Sequence, residues 1–223
     1  MSNGPPALSL LETRVLGVLV EKERTVPDSY PLTLNALTAG CNQKSSRHPV
    51  LNASDEEVQA TLDHLKTLSL VMETSGGRVM RYAHNVGRVL RIPPQSVALL
   101  AILFLRGPQT PGELRINSER LHKFGDLLSV QAFLEELAER PAGALVKELQ
   151  RQPGARENRW MHRLSGEPAD EPSASGVGEA VNDAIGASEI ATLRAEISDL
   201  RQQVASLTEA VERTRKELGL PPA

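Results

Sequence analysis

The chain has 223 residues, of which 40% are hydrophobic, 24% charged and only 3% aromatic, with a formal net charge of −3. That length allows two small domains with cores of Leu, Val, Ile and Ala, and the overall charge does not by itself call for a nucleic acid. The single cysteine, Cys41, excludes an internal disulfide, and the longest apolar run, residues 97–105, falls far short of the ~20 residues that cross a bilayer.

MSNGPPALSL has neither the basic nor the apolar region of a secretory signal, so a cytoplasmic protein is expected. Residues 1–8 read as a disordered lead. A first helix is predicted over residues 9–23, where Leu11, Val15, Leu16, Leu19 and Val20 recur at helical spacing. A second starts near Pro31 and ends near Gly40. A polar loop, CNQKSSRHPVLNA (residues 41–53), follows. Ser54 and Glu57 form a capping box for a third helix with Val58, Leu62 and Leu65 inward. Two β-prone runs, 71–74 and 79–83, flank Gly76-Gly77 and predict a hairpin.

After Pro93-Pro94 the order starts again. A helix runs from Gln95 to Arg106 and ends at Gly107-Pro108. Thr110 and Glu113 cap a helix extending to about Leu121, with Pro111 at its first position. Asp126 caps a third helix with Val130, Phe133, Leu134 and Leu137 inward. Residues 144–150 and 159–164 make a second hairpin. VQATLDHL (58–65) and VQAFLEEL (130–137) share five of eight residues at an offset of 72, and Arg81-Tyr82-Ala83-His84 echoes Arg159-Trp160-Met161-His162. One supersecondary unit is used twice, and three helices followed by a hairpin is the order of a winged helix. The expected organisation is two winged-helix domains, 9–92 and 93–166, mainly α with small β-hairpins. A flexible acidic linker follows at 167–187, then a coiled-coil helix at 188–218 and a tail at 219–223. Ile190, Leu193, Ile197, Leu200, Val204, Leu207, Val211 and Leu218 form the seam of the coil, and the β-branched-then-Leu choice favours a parallel homodimer.

The acidic excess lies in the tail: residues 167–223 hold five bases against eleven acids, whereas 1–92 hold ten against nine and 93–166 ten against eight. A winged helix presents its third helix to the DNA major groove and its wing to the flanking backbone. Here the outward residues of both third helices lean acidic: Glu56, Gln59, Asp63 and His64 in the first, Gln131, Glu135, Glu136 and Glu139 in the second. Carboxylates facing phosphates weaken binding. The candidate phosphate contacts lie elsewhere: Lys44 and Arg47 in the loop, Arg78 and Arg81 in the first hairpin, and Arg151, Arg156, Arg159 and Arg163 in the second. Alternating arginines on a hairpin grip phosphates, and the same pattern also protects a solvated edge from aggregation; the solvated reading is preferred for the first hairpin, and both stand for the second.

His48, His64, His84, His122 and His162 show no metal-ligand spacing, and there is no phosphate loop, nucleophile elbow or acid pair in a recognisable frame. No catalytic residue, cofactor or metal is expected. His84 and His162, at equivalent repeat positions, suggest a shared structural role, and Tyr82 and Trp160 read as packing groups at the hairpin base.

Three strings, EKERTVPDSYPLTLNALTAGCNQKSSRHPV (21–50), LLAILFLRGPQTPGELR (99–115) and RQPGARENRWMHRLSG (151–166), resemble the YceH-like family of bacterial proteins of unknown function. The resemblance spans roughly residues 8–166 and continues loosely into a C-terminal coil. It implies a tandem winged-helix fold and no particular activity. The stretch Asn42-Gln43-Lys44-Ser45 with Arg47 carries the family's signature; Ser46 and His48 stand where Asn and Asp are usual and make the loop slightly more basic. The expected function is a non-enzymatic dimer that binds double-stranded DNA and regulates transcription; the alternative is a tandem winged-helix scaffold for another protein.

Overall fold

Three helices open on the same device. Ser9, Ser54 and Thr110 each accept from the backbone N–H three residues on, and Glu12, Glu57 and Glu113 each reach back to the capping residue's own N–H. Two orphan donors are satisfied at each start. The computed structural model describes residues 6–75, 79–151 and 154–165. Within them run α1 (Leu10–Thr25), α2 (Leu34–Cys41), α3 (Asp55–Thr67), β1 (Val71–Ser75), β2 (Met80–His84), α4 (Val86–Leu90), α5 (Pro94–Arg106), α6 (Pro111–Asn117), α7 (Leu127–Ala138), β3 (Val146–Glu148) and β4 (Trp160–His162). The architecture is mainly helical with two antiparallel hairpins, β1–β2 and β3–β4. The coil residues Ile190 to Leu218 lie outside the described residues, as does Arg78.

Each hairpin carries a further short pairing. Leu32 and Tyr82 exchange both backbone hydrogen bonds (3.1 and 2.8 Å), and so do Gln109 and Trp160 (3.1 and 2.7 Å). This is why the second helix of the first repeat starts later than Pro31 alone suggests, while α6 starts at Pro111 as its Thr110 cap predicts. A backbone paired to a strand cannot also enter a helix, so α2 begins at Leu34 behind the Thr33 cap. At its other end α6 stops at Asn117, short of Leu121, because the backbone turns through the buried Ser118. The small helix α4, which closes the first repeat, has no clear periodic signal over its five residues.

The core is one continuous cluster of buried apolar side chains from Leu8 to Leu164. Its centre is the pair α1 and α5, whose residues 12–20 and 96–105 are buried. A Cβ built on Gly17 would lie 2.9 Å from Leu105 Cγ and 3.2 Å from Phe104 Cβ, so the glycine sets the approach of the two helices. The ends of this unit also meet, Leu8 N–H donating to Leu164 C=O over 2.5 Å. Glu12, buried on α1, pairs with His64 of α3. Burial would raise the Glu12 carboxyl, but the His64 and Ser9 hydrogen bonds hold it below its ordinary value.

The two equivalent histidines end matching registers, His84 opposite Val71 and His162 opposite Val146. Each touches the first helix of its own repeat: His84 Nε2 lies 3.1 Å from Glu23 Oε2, and His162 meets Phe104 edge-on at 4.9 Å. Burial pushes the His162 imidazole down from 6.5 to about 4. The folded protein therefore refuses a proton that the unfolded chain accepts, and stability present above pH 6.5 is lost as pH falls toward about 4. His162→Leu is expected to flatten that loss, read as urea midpoints between about pH 7 and pH 5. Equal slopes in the two proteins would show that the ring is not held neutral.

Candidate functional site

The polar loop after α2 is built from both ends. The Asn42 amide spans it, Nδ2 donating to Ala53 C=O and Oδ1 accepting from Ala53 N–H, both over 2.8 Å. From α1, Arg14 donates to Cys41 C=O (3.2 Å) and Pro49 C=O (2.7 Å), its side chain wholly buried. From α5, Arg106 donates to Ser46 Oγ (2.7 Å), and Leu105 C=O accepts from His48 N–H (2.7 Å). The polar loop is therefore pinned by helices from both repeats.

Arg47 is the correction to the expected contact set. Its guanidinium carries five N–H donors, and five hydrogen bonds use them: Gly40 C=O, Ser46 C=O, both oxygens of Glu21, and Gln43 Oε1. The side chain is 0% exposed. No donor is left for a ligand, and Arg47 acts inside the loop. Burial would raise the Glu21 carboxyl, but Arg47, and more weakly Lys22, hold it below its ordinary value. Burial, followed by the neighbouring Arg47 charge, lowers the hold of Arg14 on its proton. Cys41 lies beneath, its thiol pushed up to about 12 by burial, so it stays protonated and inert at neutral pH.

Lys44 is exposed on the outside of this loop. Arg81 is half-buried and donates to Pro31 C=O (2.8 Å) and Ser29 C=O (3.3 Å), holding the turn before α2 against the first hairpin. In the second hairpin Arg151 and Arg156 are exposed, and Arg159 and Arg163 are half-buried. The structure therefore leaves three of the seven expected cations among the described residues exposed (Lys44, Arg151 and Arg156) and the other four half-buried or buried.

It does show a group that inspection of the helix faces misses. The turn between α6 and α7 corresponds to the Lys44 loop, and Arg115, Arg120 and Lys123, in and beside it, are exposed. Among the described residues no ion pair holds any of them or Lys44. The repeat offset would have found them: adding 72 to residues 42–53 lands on 114–125. Each repeat thus carries exposed bases between its second and third helices. The outer face of α3 carries exposed Asp55, Glu56 and Asp63, with Lys66 paired to Asp63 and to Glu73 of β1.

Arg151 and Arg156 line a cleft of about 570 Å³ between α7 and the second hairpin. Its walls also carry Glu135, Glu139, Glu148 and Glu157, over a floor that includes Trp160 and Leu127. Among the described residues no group of His, Cys, Asp and Glu is placed to hold a metal ion, and no helix is long and apolar enough to cross a membrane.

Residues 8–155 match the family described as "Protein of unknown function, DUF480". The chain is 56% identical over 217 residues to a UPF0502 protein of Dechloromonas aromatica (strain RCB), covering 97% of this chain and 100% of that one. It is 59% identical over 215 residues to a UPF0502 protein of Burkholderia orbicola (strain MC0-3), covering 96% and 90%. A UPF0502 protein of Burkholderia thailandensis (strain ATCC 700388 / DSM 13276 / CCUG 48851 / CIP 106301 / E264) is 57% identical over 215 residues, with the same coverage.

Proposed function

The chain belongs to this bacterial family, DUF480, whose description states no activity, and from its own geometry we propose a non-enzymatic, tandem winged-helix protein that binds double-stranded DNA through its phosphates. The fold reading is supported by the element order, which occurs twice: a helix, a short paired segment, two helices and a hairpin. That is the succession of a winged helix. The seam from Ile190 to Leu218 would join two chains as a parallel coiled coil and double the number of phosphate contacts by avidity.

The observation that carries the DNA reading is the recurrence of exposed bases at the corresponding place in both repeats, Lys44 in one and Arg115, Arg120 and Lys123 in the other, none of them in an ion pair among the described residues. Arg159 of the second hairpin, outside the acidic cleft lining, adds a flanking contact. Such contacts position a protein on a duplex without reading its sequence. With about four to six of them, affinity for a random duplex should fall by roughly two to three powers of ten between about 50 and 200 mM salt. Fluorescence anisotropy measures this directly. The variant K44E/R120E/K123E is expected to bind at least ~10-fold more weakly and to show a salt slope smaller by about 3. Absence of binding at low salt and micromolar protein, or an unchanged slope in the variant, would overturn the proposal.

A second reading, a scaffold for another protein, is favoured by the acidic outer faces. Asp55, Glu56 and Asp63 on α3 and Glu135, Glu136 and Glu139 at the end of α7 are exposed.

A further inference from the structure

The end of α7 is charged against its own interest. A helix's C-terminal turn carries a partial negative charge and favours cations. α7 has no base in its last turn, which instead bears Glu135 and Glu136 and runs into Glu139 at the C-cap. Glu135 and Glu139 are also a like-charge pair at i and i+4, which destabilises a helix by a few tenths of a kcal/mol. Local choices that oppose the fold mark sites where something else is served. Both side chains face the cleft of about 570 Å³, within the roughly 300–1,000 Å³ of typical ligand sites.

The opposite wall is the second hairpin, which contributes Glu148 and Glu157 together with Arg151 and Arg156. Four carboxylates against two guanidinium groups leave a net charge of −2. Among the described residues no ion pair joins any of the six; Glu148 accepts one hydrogen bond, from Asn158 Nδ2 at 3.0 Å. Apolar lining comes from Pro111, Leu127, Ala138 and Trp160. The backbone of Trp160 is held in place by the Gln109 pairing. A cleft with apolar lining and a few convergent polar groups is the usual form of a binding site.

We propose that this cleft docks an extended, basic segment of a partner protein, whose Lys or Arg side chains pair with Glu135 and Glu139 while a neighbouring apolar side chain covers Trp160 and Leu127. A duplex is disfavoured here, because its phosphates would face four carboxylates. The partner segment supplies the cations that the C-terminal end of α7 lacks. The site is separate from the basic turns, so it stands whether or not those turns bind DNA.

The test uses the full-length protein and three labelled probes: an eight-residue peptide alternating Arg and Leu, the same peptide with Glu for Arg, and a random DNA duplex. The basic peptide should bind, and E135Q/E139Q should weaken it at least ~10-fold. E136Q, altered on the same turn but outside the cleft lining, should bind it like the parent. K44E/R120E/K123E should also leave the peptide unaffected, which separates this site from the DNA reading. E135Q/E139Q should melt no lower than the parent, since the substitutions remove a repulsion. The proposal is overturned if the acidic peptide binds as well as the basic one. It is equally overturned if E136Q and E135Q/E139Q weaken binding alike, or if the duplex displaces the peptide from the cleft.

Discussion

Arg47→Ala is expected to lower stability by about 3–5 kcal/mol, the cost of removing one partner from a buried charge pair. The substitution frees the carbonyls of Gly40 and Ser46, leaves the Gln43 amide without its partner, and strands the Glu21 carboxylate. For a chain of this size that corresponds to a fall in Tm on the order of 10 °C. Arg47→Lys should recover little, because an ammonium cannot reproduce a planar fork across five acceptors. The acid limb supplies a second readout. Arg47 depresses the Glu21 carboxyl in the folded state, so the stability it contributes is present above the ordinary carboxylate pKa and is lost as pH falls through the lowered one. Without Arg47, burial raises the carboxyl, and the loss should move to higher pH. Were Arg47→Ala to melt like the parent while losing DNA affinity, Arg47 would be a ligand contact after all.

The second large effect is expected at Gly17. Replacing a mid-helix glycine with alanine ordinarily gains about 1 kcal/mol. At Gly17 the new Cβ would stand 2.9 Å from two atoms of Leu105 and 3.2 Å from Phe104 Cβ. Leu105 is 1% exposed and has nowhere to retreat. Gly17→Leu, which adds four carbons there, should cost about 3 kcal/mol or more, at or beyond the upper end of overpacking penalties. A double-mutant cycle locates the cause. Gly17→Ala should destabilise the parent yet stabilise the Leu105→Ala background, where the space is open. Additive effects in urea unfolding would show that α1 and α5 do not cross at this point.

Most of the architecture could be read from the chain because its signals are local. The capping boxes at Ser54 and Thr110, the apolar run of α5 and the Gly-Gly hairpin each involve neighbours in sequence, and the structure has them where the residues place them. The box at Ser9 and Glu12 has the same signature. What escapes is non-local. Nothing near Leu32 announces a pairing with a residue fifty positions on, so α2 starts later than Pro31 suggests, whereas α6 starts at Pro111 as its local cap predicts. The fate of Arg47 depends on Glu21, 26 residues away. By residue type Arg47 is a surface cation; by partner it is part of the interior. Composition likewise pointed to the arginines of the second hairpin, whereas Arg115, Arg120 and Lys123 emerge only when the repeat is followed into the turns.

The loop anchored by Arg14 and Asn42 is also tied to α5 through Ser46 and His48. It belongs to the first repeat by sequence and to both by hydrogen bonding. A hinge between the repeats would have to break those bonds and open the apolar seam at Gly17. The backbone spacing of the two basic turns is therefore set by this packing, as two fixed marks. Under the DNA reading the duplex must do the adapting. Sequence preference would then arise without a base being touched, from how cheaply each stretch of DNA bends to fit the interval between the marks.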